Sequence, residues 1–295
     1  MAPSAIRTMG KVLLCSLLLP SFPGLVAASQ RQRGPTTADE PEESSFPDWT
    51  YRRASHEGER PYSPSDWEIG YPDCGGDSQS PINLSANVGT LVEATEFNLE
   101  LFGAECASKE LDFEANGHVW EIDFSECTST SNLSFDGGKY SLLQMHIHSP
   151  SEHMVAGSLH DAEIHLVHSR DDSDGTESEL LVIGVFLDAK EHGWNVALEP
   201  LWDVLGSGAK PRGVINPYEL IPSDMAYSHY MGSLTTPPCS EIVRWVVMST
   251  PTVIGDLQLD IFRDSVATAT NSQVDERSNT NRPGQAINGR AVYIV

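Results

Sequence analysis

The stretch QMHIHSPSEHMVAGSLHDAEIHLVH, residues 144–168, holds six of the chain's ten histidines: His146, His148, His153, His160, His165 and His168. Its patterning bears on fold and chemistry together. QMHIH and AEIHLVH alternate with period two, the mark of strands with a distinct buried face. On the first, Gln144, His146 and His148 point one way. On the second, Glu163, His165 and Val167 do so, and His168 points to the other face. Three imidazoles from two neighbouring strands then converge on one point. Three histidines leave the fourth position of a tetrahedral ion open, the arrangement of a catalytic rather than a structural zinc. Gln144 and Glu163 each stand two residues from a proposed ligand, on its own face, where they suit the task of holding its outer ring nitrogen. A lone His-x-His is ordinary on a wet β face; here a second strand and two polar partners agree with it. The other histidines read as structural: His153 as a packed, hydrogen-bonded neighbour of Glu152, His160 as a loop residue, His168 as facing away.

Outward from this stretch, short alternating or apolar runs recur between turn signals: FNLELFG, ELDFEA, HVWEIDF, SLLQMHIH, ELLVIGVFLD, EIVRWVVM and AVYIV. These read as strands. EHGWNVALEPLWDVL (191–205) and DLQLDIFRDSV (256–266) are the helix candidates. The expected fold is mainly β with a few short helices (α+β), in one domain. Asn116-Gly117 is a strong two-residue hairpin signal. Cys106 and Cys127 are symmetric about its midpoint, 116.5, so an unbulged hairpin pairs them and leaves Cys74 for Cys239.

The N-terminus differs from the rest. MAPSAIRTMGK is basic, and VLLCSLLLPSFPGLVAAS is apolar and ends in small residues. Residues 1–29 read as a secretory signal peptide, 30–45 as a disordered polar leader, and 46–295 as the folded domain. No later run is apolar enough to span a bilayer. Loss of the signal removes Cys15 and leaves four cysteines, an even count that fits disulfides outside the cytosol. Asn83 and Asn132 head Asn-x-Ser triplets, candidate glycosylation sites. The formal charge of −24 falls by two, to −26, with the loss of Arg7 and Lys11. So acidic a chain is excluded as a nucleic-acid binder, which needs a basic surface.

QMHIH, SEH at 151–153, AEIHLVH, GSLTTPP at 232–238 and NGH at 116–118 together resemble the signature of the α-class carbonic anhydrases, in order and in spacing. SQSPINL at 78–84 and NRPGQAINGR at 281–290 extend the likeness over roughly residues 46 to 295. The resemblance implies a large, twisted, mostly antiparallel central sheet with zinc in a conical cleft. It implies a secreted zinc lyase interconverting carbon dioxide and bicarbonate, with zinc-bound hydroxide as the nucleophile and ester cleavage as a weak side activity. His146, His148 and His165 match the zinc ligands. Thr235 matches the threonine that orients the nucleophile, Glu152 its carboxylate partner, and His118 the proton shuttle. Val167, Val182, Leu234, Val243 and Trp245 match the apolar wall for carbon dioxide, and Thr236 the neighbour of bicarbonate. Cys74 and Cys239 match the disulfide of extracellular members. Trp49 and Tyr51 resemble an N-terminal aromatic cluster.

Two residues depart from the pattern. Glu121 stands where a neutral polar residue often lines the family's cleft, so a more negative cleft and a raised pKa for His118 are the expectation. Thr280 stands where an asparagine often supports a zinc-ligand histidine, so that contact is expected to weaken or pass to Asn279 or Asn281. A catalytically silent binding module, the main rival, would have lost zinc histidines, and all three are present.

Overall fold

Strands β10 (Ala162–Arg170) and β11 (Leu180–Lys190) lie at the centre of the molecule, buried along most of their length on both faces. Their β-branched and aliphatic residues suit that position, since a strand covered on both sides needs apolar groups at nearly every place. The computed structural model describes residues 49–52, 58, 61–85, 89–92, 97–102, 112–115, 118–124, 132–170, 179–202, 205, 216–269 and 279–295. These belong to one compact unit, Ser44–Val295. The expected signal peptide and leader, the Asn116-Gly117 turn, and Cys106 and Cys127 lie outside the described residues.

The remaining strands are β1 (Asn83–Leu84), β2 (Gly89–Leu91), β3 (Leu99–Phe102), β4 (Asp112–Ala115), β5 (Trp120–Asp123), β6 (Asn132–Phe135) and β7 (Gly138–His148). After these come β8 (Met154–Val155), β9 (Ser158–Leu159), β12 (Tyr227–Gly232), β13 (Val243–Met248), β14 (Thr252–Gly255) and β15 (Val292–Ile294). Twelve of the fifteen form one mixed sheet with the path β2-β15-β12-β13-β11-β10-β7-β5-β4; β14 joins beside β11, and β6 joins β3 to β7. Pairs are antiparallel except β11 with β13 and β14, and β15 with β2. The mainly β fold with a large, mostly antiparallel sheet is thus as the sequence indicates. Seven of the fifteen strands, β1, β2, β6, β8, β9, β12 and β14, are absent from the sequence-based set.

The helices are short. α1 (Trp67–Gly70) and α2 (Glu199–Trp202) are single turns, and α3 (Asp256–Ala269) is the longest. α3 buries Leu259, Phe262 and Val266, whose three- and four-residue spacing gives one apolar stripe. Asp256 at its first turn favours the positive end of the helix dipole. The other expected helix, 191–205, begins late. His192 takes a positive φ of 59° and Gly193 N donates to Lys190 O, so this segment first turns out of β11. Helical structure starts with a 3-10 turn at Val196, and Pro200 sits at the second residue of α2, where no internal N–H is needed. No helix among the described residues is long and apolar enough to cross a membrane.

The hairpin of β4 and β5 is centred slightly beyond the expected turn. Ala115 faces Trp120 and Asp112 faces Asp123, so the strands fold about a point one residue beyond the Asn116-Gly117 midpoint, with a connection of 116–119. The expected Cys106–Cys127 pairing lies outside the described residues. Cys74 and Cys239 do form a disulfide.

His168 faces away from the histidine cluster and is fully buried. Its Nδ1 donates to Leu166 O at 3.0 Å, and its Nε2 accepts from the Tyr218 hydroxyl at 2.9 Å. Burial lowers its pKa to about 4. The unfolded chain therefore takes up a proton between about pH 6.5 and 4 that the folded chain resists, and stability is lost as pH falls through this window. We expect His168 to account for about 3 kcal/mol of lost stability on acidification from pH 7 to 4. Urea midpoints across that range should fall less steeply in His168→Gln; equal slopes in both proteins would contradict the assignment.

Candidate metal centre

The register of β7 against β10 sets His146 opposite His165 and Glu163 opposite His148. Opposed residues of an antiparallel pair share a face, so the three histidines and Glu163 meet on one side of the sheet. One donor atom from each of His146, His148 and His165 lies within 4.8 Å of the others, a group able to hold a metal ion.

Each ring has its outer nitrogen bound to a fixed acceptor. His146 Nδ1 lies 2.7 Å from Gln144 Oε1, and His165 Nε2 lies 3.0 Å from Glu163 Oε1. His148 Nδ1 donates to the backbone carbonyl of Thr280 at 2.5 Å. An imidazole with its outer nitrogen protonated keeps a lone pair on the inner one. The inner atoms are therefore His146 Nε2, His148 Nε2 and His165 Nδ1. Buried His148 Nε2 has no hydrogen-bond partner, and His146 Nε2 faces His165 Nδ1 at 3.2 Å. Bare lone pairs turned on one another satisfy nothing without a cation between them. Burial lowers the pKa of all three rings: His146 well below the usual value, His148 to about 4, and His165 downward. Neutral, buried and convergent, these rings fit a divalent metal of zinc type.

The expected supports are present, with two corrections. The contact to His148 is made by the backbone carbonyl of Thr280 and not by Asn279 or Asn281; Thr280 Oγ1 accepts from Ser149 N at 3.1 Å. His153 is hydrogen-bonded to Glu163 and Tyr230, not Glu152. Its Nδ1 lies 2.7 Å from Glu163 Oε1 and its Nε2 2.7 Å from the Tyr230 hydroxyl, which donates to Ser80 Oγ. Glu163 Oε2 also accepts from the backbone N–H groups of Glu152 and His153. Burial alone would raise the pKa of Glu163, but the His153 and His165 rings hold it well below the usual carboxylate range.

Glu152 is buried beside the triad, its Oε2 3.4 Å from His148 Nε2 and 3.9 Å from His165 Nδ1. Oε1 accepts from Arg282 N at 2.8 Å. The Arg282 guanidinium is itself buried, bonded to Gln79 Oε1, Ser80 O and Cys74 O. Burial pushes Glu152 up to about 7, against the pull of His165, Arg282 N and the Thr235 hydroxyl. Glu152 Oε2 itself has no hydrogen-bond partner of ordinary geometry among the described residues.

Val167, Val182 and Trp245 are successive partners across β10, β11 and β13, one row of the sheet beside the row of His165. With Val243 they belong to one buried apolar cluster, and Leu234 packs against it. The Trp245 ring stands edge-on to His165, centroids 4.8 Å apart. Thr236 lies in the loop closed by the disulfide, its carbonyl accepting from Cys239 N. Asn83 is exposed and accepts from Gly157 N, whereas Asn132 is half-buried in β6. His118 is no solvent-facing turn residue. Only 4% exposed, it stacks on Trp49 with centroids 3.3 Å apart, and its Nε2 lies 3.0 Å from Trp49 O.

A large mixed sheet presenting three neutral imidazoles with their outer nitrogens engaged is a metalloenzyme scaffold. The chain belongs to the eukaryotic-type carbonic anhydrase family, which matches residues 62–295, and it is accordingly a carbonate dehydratase. It is 34% identical over 247 residues to carbonic anhydrase 7 of Mus musculus, covering 78% of this chain and 92% of that one. It is 31% identical over 220 residues to a carbonic anhydrase of Neisseria gonorrhoeae, covering 74% and 77%. Among solved structures it is similar to the α-carbonic anhydrase of Thermovibrio ammonificans in complex with the inhibitor sulfanilamide, with TM-score 0.66, 28% identity, and 83% and 98% of the two chains covered. A dioscorin complexed with ascorbate is nearly as similar in fold (TM-score 0.64, 28% identity, 83% and 97% covered).

Gly184 is a site residue with no sequence signal. It is the partner of His165 on β11, and a Cβ there would lie 2.8 Å from Glu163 Oε1. Gly184→Ala should displace that carboxylate and weaken zinc binding about tenfold. Competition with a chromophoric chelator measures this, and unchanged affinity would contradict it.

Proposed function

We propose that the chain hydrates carbon dioxide reversibly at a zinc ion held by His146 Nε2, His148 Nε2 and His165 Nδ1. The convergence of three inner lone pairs, with every outer nitrogen already engaged, carries this reading. Zinc bound there supplies a Lewis acid that makes water nucleophilic near neutral pH, chemistry for which carbonic anhydrase is itself the reference case. Three neutral ligands preserve the charge on which that acidity depends.

The other residues aim the nucleophile, hold the substrate and export the proton. A hydroxyl has one proton to give. When Thr235 gives it to ionised Glu152, its oxygen can only accept, which turns the nucleophile's free lone pairs toward carbon. Arg282 N, held by a guanidinium anchored at three points, keeps Glu152 in place. Val167, Val182, Val243, Trp245 and Leu234 exclude water and offer an apolar wall to a small apolar substrate. Thr236 borders the product. His118 carries the proton outward, and its stacking on Trp49 means the ring must swing to reach both cleft and solvent. The apolar N-terminal stretch and the Cys74–Cys239 disulfide support passage through the secretory pathway.

Stopped-flow hydration of carbon dioxide should show a rate abolished by a chelator and by His146→Ala. A rate indifferent to both would overturn the proposal. Glu152→Gln should keep its zinc and lose about a hundredfold in kcat, as misaimed nucleophiles do. His118→Ala should slow turnover in weak buffer and recover with added imidazole; an unchanged rate would remove His118 from the proton path.

A further inference from the structure

Glu121 is the partner of His146 on β5, and so stands on the same face as the metal-binding rings. Its Oε2 accepts from Gln144 Nε2 at 3.1 Å, while Gln144 Oε1 lies 2.7 Å from His146 Nδ1. A carboxamide has two unlike ends, and nothing in its shape decides which end meets which neighbour. An ionised carboxylate removes that ambiguity, because it only accepts. With Glu121 on one side, Gln144 must turn its NH₂ outward and its carbonyl toward His146. The carbonyl then demands a proton on His146 Nδ1 and leaves Nε2 bare.

The geometry points to Glu121 as a positioning residue that sets the tautomer of His146 through Gln144. It thereby makes His146 Nε2 a ready metal ligand in the absence of any ion. A neutral amide at 121 could either donate or accept. Gln144 could then rotate, present its NH₂ to Nδ1, and shift the proton onto Nε2, the atom that should bind metal. His165 and His148 do not share this vulnerability, since their outer partners are a carboxylate and a backbone carbonyl with no alternative orientation. His146 is thus the one ligand of the three whose partner needs a second residue to set its direction. The consequence for zinc affinity rests on the metal centre proposed above; the tautomer itself does not.

Two readouts on the full chain test the inference, comparing wild type with Glu121→Gln and Glu121→Asp. The first is the ring ¹⁵N shifts of His146 in the chelator-stripped protein near pH 7.5. The second is zinc affinity by chelator competition. Wild type and Glu121→Asp should show Nδ1–H with bare Nε2. Glu121→Gln should show a mixture of tautomers and bind zinc about tenfold more weakly, the lower end of what loss of an outer-shell partner causes. A single Nδ1–H tautomer in Glu121→Gln would overturn the inference, even with weakened affinity, since charge alone would then explain the loss. Mixed tautomers already present in wild type would overturn it equally. Failure of wild type to bind zinc would sink the metal centre instead, and the nitrogen shifts would still decide the role of Glu121.

Discussion

The pairing of β7 with β10 is the constraint on which the rest of the site depends. It sets His146 opposite His165 and brings His148 beside Glu163. A slip of one residue would turn one set of side chains to the opposite face and dissolve the cluster. Both strands lie within the sheet, with β5 and β6 beyond β7 and β11 beyond β10, so neither can slide without breaking hydrogen bonds on both sides. The rigidity a metal centre needs comes from this double pairing.

Around that register the protein builds a shell of acceptors. Glu163 serves four donors: the rings of His165 and His153, and the backbone N–H groups of Glu152 and His153. A fully buried carboxylate would ordinarily be costly, but here each oxygen is satisfied twice. The chain runs on through Tyr230 to Ser80, whose hydroxyl accepts from Ser233 N, two residues before Thr235. Arg282 forms a second bracket, joining Cys74 O, Ser80 O and Gln79 to the backbone that holds Glu152. The disulfide and the two brackets thus fasten the Thr235 loop to the sheet from different directions.

Much of this was legible in the sequence because strand periodicity is local. His-x-His and Glu-x-His place side chains on a known face whatever the rest of the chain does, and the supporting roles of Gln144 and Glu163 follow from the same parity. The partners contributed by distant segments were not legible. The carbonyl that holds His148 belongs to Thr280, and a backbone group leaves no mark in residue type. Tyr230 lies on a strand with too few apolar residues to stand out, and Gly184 matters only because a carboxylate fills the space a Cβ would take. The β4–β5 hairpin was misplaced by one residue because a strong Asn-Gly turn signal did not set its register. The stacking of His118 on Trp49 was not legible either, because the two rings lie 69 positions apart in the chain.

The sequence by itself indicated the three histidines that could hold a metal and the mainly β architecture. Each follows from residue type and a period of two. Tertiary structure alone decided which nitrogen of each ring faces inward, because that depends on the acceptor behind it. Two of the three acceptors follow the parity of the ligand strands, and the third is a carbonyl 132 positions away in the chain. It also decided that His118 rests on Trp49 and that Gln144 lies between His146 and Glu121, since stacking and side-chain bridging require segments that only the folded sheet brings together.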